Sequence, residues 1–186
     1  MKHLHMRRLS QAFTVTLAAA GLVTSTLPAA QATPTPDREG TTRVAVAPAV
    51  VRKLDRLNLE AAPTGHATAV PFQGTVAFRF PVEAVERNGN VIKHRGGVRV
   101  SSAHDSIALK RFTIKLGRGK VGAAVVVDGD RVGRAEVFNI RPSGRPALGD
   151  VRLTLTHAAA QAVNSTFGAP AFETGDTFGF ATVRLR

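Results

Sequence analysis

The sequence contains no cysteine, no tryptophan and no tyrosine. Without cysteine there are no disulfides and no thiolate chemistry, so packing alone must hold the fold. Without tryptophan or tyrosine there is little surface on which single-stranded nucleic acid could stack. The 10 phenylalanines fall mostly on the apolar faces of strand-like runs. Acidic residues are scarce, 13 against 25 lysines and arginines, and the formal net charge is +12.

Catalytic patterns are missing as well. There is no HExxH, CxxC or GxSxG, and Ser101, Ser102 and Ser106 have no orienting acid at a useful spacing. The stretch LGRGKVG (116–122) has the glycines and lysine of a phosphate loop. Val121 stands where such a loop needs Ser or Thr and a helix, so a hairpin turn with exposed cations is the better reading. DGDR (128–131) offers two carboxylates, but Val132 and Gly133 follow and no distal Glu completes a calcium loop. NST (164–166) matches a glycosylation sequon but lies inside a predicted helix, and it is discounted. No motif locates an enzyme's chemistry, and the chain is expected not to be an enzyme.

One long uncharged apolar run is present. Leu9 to Leu27 follows Lys2, Arg7 and Arg8, and Ala30-Gln31-Ala32 comes next. That order predicts a signal peptide over residues 1–32, cleaved after Ala32. The run is rich in Thr, Ser and Ala and weakly apolar for a permanent span. The Arg7-Arg8 pair leaves Sec and twin-arginine export both open. The expected location is secreted or cell-envelope associated. The leader carries +3 of the charge, so +9 stays on residues 33–186. A surplus of that size implies attraction to polyanions, here anionic cell-wall polymers or a membrane surface. The cations are spread along the chain, which argues against sequence-specific nucleic-acid binding. A small hydrophobic ligand is compatible with the composition.

Residues 33–42 (TPTPDREGTT) read as a disordered, Pro-rich leader, and the domain is expected over 43–186. Beyond it the apolar period is mostly two. Val76, Phe78, Phe80 and Val82 share one face of a strand, with Pro81 marking an edge or bulge. Asn88-Gly89-Asn90 and Asp128-Gly129 are turns. Ile107 and Leu109 are odd-numbered, whereas Phe112, Ile114 and Leu116 are even, so a bulge is expected at Lys110-Arg111. Two helices are expected. Pro48 starts the first, with Val51, Leu54 and Leu57 on one face. Thr156 caps the second, whose stripe is Ala160, Val163 and Phe167, and Gly168 stops it. Residues 43–65 and 152–175 resemble each other as strand–helix–strand units flanking a central β region. The fold class is therefore mainly β, an antiparallel β-sandwich or open barrel with two short α-helices.

Two histidines are the candidate ligand-binding residues, His94 and His104, in HRGGVRVSSAHDSIALKRFTI (94–114). If the chain turns near Ala103–Asp105, residue 98 lies opposite about 109. His94 and His104 are then on the order of 20–30 Å apart at strand rise. Metal–nitrogen bonds are about 2.1 Å, so the two cannot share an ion, and no metal site is expected. His94 has the parity of Ile92, Val98 and Val100, although Gly96-Gly97 could break that count. A strand-end histidine bonded to backbone is its plainer reading, and an Asx-type turn with Asp105 is that of His104. His66 and His157 stand alone.

Three pieces carry a family resemblance: FRFPV (78–82), the stretch 94–114, and LTLTHAAAQAVNSTFGAPAFETGDTFGFATV (153–183). Together they resemble the HtaA-like domains secreted by high-GC Gram-positive bacteria. The resemblance implies a secreted or wall-associated β-rich domain with short helices. In the haem-binding members an axial tyrosine near the domain start holds the iron, and a histidine in the hairpin turn hydrogen-bonds to it. His104 is the matching turn histidine. The tyrosine has no counterpart here, and neither does the tryptophan-containing start motif. The expectation is an exported binding or cell-envelope interaction domain on an HtaA-like scaffold. The alternative is a haem or porphyrin binder using His104, with His94 as a second candidate. No cofactor other than haem is implied.

Overall fold

The structure, a computed structural model, describes residues 40–186. The expected signal peptide and most of the expected leader lie outside the described residues. The first strand, β1 (Gly40–Val46), begins three residues before the expected domain start at Arg43. Thr42 is one of its buried residues, 3 % exposed, so residues 40–42 belong to the fold and not to a leader.

Ten further strands follow: β2 (Glu60–Thr64), β3 (Thr68–Phe72), β4 (Thr75–Glu86), β5 (Val91–His94), β6 (Gly97–Ser101), β7 (Ser106–Lys115), β8 (Lys120–Val127), β9 (Asp130–Pro142), β10 (Val151–Leu155) and β11 (Thr177–Leu185). Helix α1 (Pro48–Arg56) lies between β1 and β2, and α2 (His157–Phe167) between β10 and β11. Eight strands close on themselves, antiparallel throughout, in the order β1-β4-β5-β7-β8-β9-β10-β11 and back to β1. The expected class, mainly β and antiparallel with two short helices, holds; of the two expected forms it is the barrel and not the sandwich, and the barrel is closed where an open one was expected. Closure removes the exposed edges that an open sheet would have to protect. The remaining strands are additions: β6 pairs with β7 and carries β2 outside it, and β3 pairs with β4.

Local chemistry explains the elements. Alternation in β4 buries Phe78, Phe80 and Val82, and the strand runs through Pro81 to Glu86. The disturbance that Pro81 announces is a register shift between Val82 and Ala84. In β7 the parity slip is a bulge: Arg111 has a positive φ of 53°, and the register against β8 shifts between Lys110 and Thr113. Asp128 (φ 49°) and Gly129 (φ 93°) make the tight turn of the β8–β9 hairpin. Pro48 stands at the start of α1. Thr156 Oγ1 accepts a hydrogen bond from the N–H of Ala159, and Gly168 ends α2 in the left-handed conformation (φ 61°).

Of the two similar segments, 43–65 is a strand–helix–strand run, whereas 152–175 holds only β10 and α2, with β11 starting just beyond it at Thr177. β11 returns to pair with β10, whereas β2 leaves β1 and pairs with β6. The interior is built on phenyl rings. Phe80 meets Phe112 edge-on at 5.1 Å, and Phe138 lies 4.8 Å from Phe178. Phe112 and Phe138 join these pairs at 6.5 Å, so aromatic contacts run from β4 through β7 and β9 to β11.

Candidate functional site

An eight-stranded barrel is just wide enough to be filled by side chains or to hold one small ligand. Here the interior retains a cavity of about 620 Å³. That is within the usual range for small-molecule sites, roughly 300–1,000 Å³. Its wall is almost entirely aliphatic and aromatic. Val44, Phe78, Phe80, Phe112, Ile114 and Val121 form its waist.

The two ends differ. The chain passes into α1 just after β1, and into α2 just after β10, so both helices lie at one end. Val50 and Leu54 of α1 and Ala159 of α2 line the cavity there and are buried. The Ala47 N–H donates to Phe178 O at 2.9 Å, and the Thr156 N–H to Val137 O at 3.1 Å. These bonds tie the helix starts to the barrel wall. Lys53 Nζ donates to Asp176 Oδ2 at 2.6 Å, joining α1 to the loop before β11. Burial alone would raise the Asp176 carboxyl. The bonds from Lys53 and the Glu173 N–H outweigh it, and the pKa is lowered. At the other end Gly89, Leu116, Ile140, Val183 and Leu185 ring the cavity. Leu116 and Leu185 are about half exposed, at 48 % and 49 %. This end is the mouth.

One polar spot interrupts the wall. His94 ends β5 with its side chain in the cavity lining and is 2 % exposed. Its Nδ1 lies 3.2 Å from the Phe112 carbonyl, and its Nε2 2.7 Å from Thr42 Oγ1. A carbonyl can only accept, so Nδ1–H donates to it. In the neutral ring Nε2 then accepts from the Thr42 hydroxyl. Burial is the larger influence and lowers the pKa to about 4, against a smaller rise from the Phe112 bond. The imidazole is therefore neutral at ordinary pH. Thr42 falls within the expected leader. Its parity with Val44 and Val46 was the signal that would have placed it on the inner face.

His104 is elsewhere. It is exposed in the β6–β7 turn and does not line the cavity. Ser102 organises that turn, its Oγ accepting from the N–H groups of His104 (3.2 Å) and Asp105 (2.9 Å). The pairing Val98↔Leu109 holds His94 and His104 in different parts of the molecule. No group of three or more His, Cys, Asp or Glu that could hold a metal occurs among the described residues.

Comparison with known proteins adds two structures. The chain is similar to the C-terminal domain of HtaA from Corynebacterium glutamicum, with TM-score 0.49 and 17% identity over 77% of this chain and 95% of that one. It is also similar to the heme binding protein HtaB from Corynebacterium glutamicum, with TM-score 0.47 and 12% identity over 80% of this chain and 94% of that one. The HtaA-like resemblance is read from residues 78–82, 94–114 and 153–183, and one of the two structures bears that name. No protein-family model and no curated relative matches the sequence.

Proposed function

We propose that this chain is an exported, non-enzymatic binding domain that takes one small apolar ligand into its barrel. The observation that carries the reading is the 620 Å³ apolar cavity, with helices over one end and half-exposed leucines at the other. A well-packed core leaves few voids larger than a water molecule, so a cavity of this size supports a binding role. Export is supported by the leader pattern of residues 1–32, and attraction to anionic wall polymers or a membrane surface by the +9 charge on the rest.

Titration with a neutral naphthyl dye tests the reading. With no tryptophan or tyrosine, the protein adds almost no emission of its own. One dye per chain with a blue-shifted spectrum is expected. Ala181→Phe fills the cavity from β11 and should abolish the signal while the far-ultraviolet circular dichroism stays unchanged. Dye binding that survives a folded Ala181→Phe variant would place the site elsewhere.

The second reading is haem. In its favour is a neutral histidine in the cavity wall. The residues as placed do not fit iron ligation: both nitrogens of His94 have partners inside the fold, and His104 lies outside the cavity. A haem titration followed in the Soret band, repeated on His94→Ala and His104→Ala, decides it. A Soret band lost with either variant would restore haem and name its ligand.

A further inference from the structure

The mouth carries a second kind of chemistry, and it specifies the ligand that the barrel reading leaves general. The turn between β4 and β5 and the short 3-10 turn after β7 (Leu116–Arg118) lie side by side at this end, joined by the Leu116 N–H donating to Asn90 O at 2.9 Å. Both turns face two ways. Gly89 and Leu116 line the apolar cavity. Their neighbours Arg87, Lys115 and Arg118 line a polar cleft of about 340 Å³ beside it.

None of these three cations has a carboxylate within ion-pair distance among the described residues. Glu86, the one acid in the cleft, is engaged by Lys93 Nζ at 2.5 Å. Asp150 also lines the cavity at this end. Elsewhere on the surface Lys53, Lys93, Arg95 and Lys120 each lie within 4.0 Å of a carboxylate. Other described cations also lack a carboxylate partner, among them Arg52, Lys110 and Arg131; what marks this end is that three such cations stand beside an apolar shaft.

We infer that the ligand is a long-chain amphiphile with an anionic head. Its chain lies in the shaft toward α1 and α2, and its head sits at the rim against Arg87, Lys115 and Arg118. A neutral hydrophobic ligand would leave these cations unused, and a small polar anion would leave the shaft unfilled. The chemistry is that of a fatty-acid carboxylate or a monoalkyl phosphate.

The inference rests on the barrel reading, and the test separates the two. Hexadecanoate and hexadecanol compete against the bound naphthyl dye, above neutral pH so that the acid is ionised. Hexadecyl phosphate is a third arm, which separates the two head chemistries. The acid should displace dye at roughly five- to tenfold lower concentration than the alcohol, the scale of exposed charge contacts. The preference should shrink in high salt. Arg87→Glu, Lys115→Glu and Arg118→Glu combined should abolish it and leave alcohol binding unchanged. Arg87 and Arg118 are in turns and Lys115 is the last residue of β7, so the variant is expected to fold, and an unchanged melting temperature checks this. Equal binding of acid and alcohol by the wild type, or a preference that survives charge reversal, overturns the inference and leaves the barrel reading intact. Failure of dye, acid and alcohol alike overturns both.

Discussion

At one end of the barrel two helices lie over the shaft, and Val50, Leu54 and Ala159 line it and are buried. At the other end the same shaft opens between turns, and Leu116 and Leu185 remain about half exposed. Side chains of similar size thus serve opposite purposes. At the helical end burial stabilises the fold. At the mouth the apolar surface left in water contributes little to stability and is available to a ligand. The comparison also explains why the helices are short. They need only span the barrel's end, and their stability comes from the face they bury.

The contrast can be broken by substitution and by pH. The largest effects should come from the helical end and the barrel wall. Leu54→Ala removes a buried side chain from α1 and should cost about 2–4 kcal/mol in denaturant unfolding. The same change at the mouth, Leu116→Ala, should cost under about 0.5 kcal/mol and weaken dye binding instead. If both destabilise equally, the two ends are not distinct.

A comparable effect is expected from acid. His94 takes up a proton near pH 6.5 in the unfolded chain but only near 4 in the folded one. The unfolded state therefore binds more protons in that window. The stability gained by keeping the ring neutral is whole above pH 6.5 and declines as pH falls toward 4. The loss amounts to about 3 kcal/mol. His94→Gln should flatten this slope in unfolding curves taken between those pH values. An unchanged slope would mean that the histidine is not buried against Thr42 and Phe112.

Smaller effects belong to the attachments of the helices. Thr156→Ala removes the cap of α2 and should cost about 1 kcal/mol. Lys53→Ala breaks the link to Asp176, a partly exposed pair, and should cost under about 1 kcal/mol in calorimetry. The carboxyl's pKa is lowered in the fold. That contribution is present above its unfolded pKa and is lost as pH falls through the folded one.

Much of the fold was legible where the signal is local. The inner face of β4, the bulge at Arg111, the Asp128-Gly129 turn and the Thr156 cap each follow from a few neighbouring residues. Closure was not legible, because it depends on β1 meeting β11 and β7 meeting β8 across long stretches of chain. β3 (TAVPF) was missed because Pro71 and its shortness suppress the strand pattern. The end bond of His94 to a backbone carbonyl follows from its place on β5, whereas its contact with Thr42 required the barrel. The cavity had no signal at all. A void is the absence of side chains from a volume, and residue pattern reports only which way side chains point.

The central claim is that an amphiphile enters at the leucine rim and reaches the helices. A crystal structure of the protein with 12-bromododecanoate tests it most directly, through the anomalous signal of the bromine at the chain's end. The account predicts bromine inside the barrel beside Val50, Leu54 and Ala159, with the carboxylate at the rim near Arg87, Lys115 and Arg118. Bromine at the protein surface, or a barrel interior filled by repacked side chains, would contradict it.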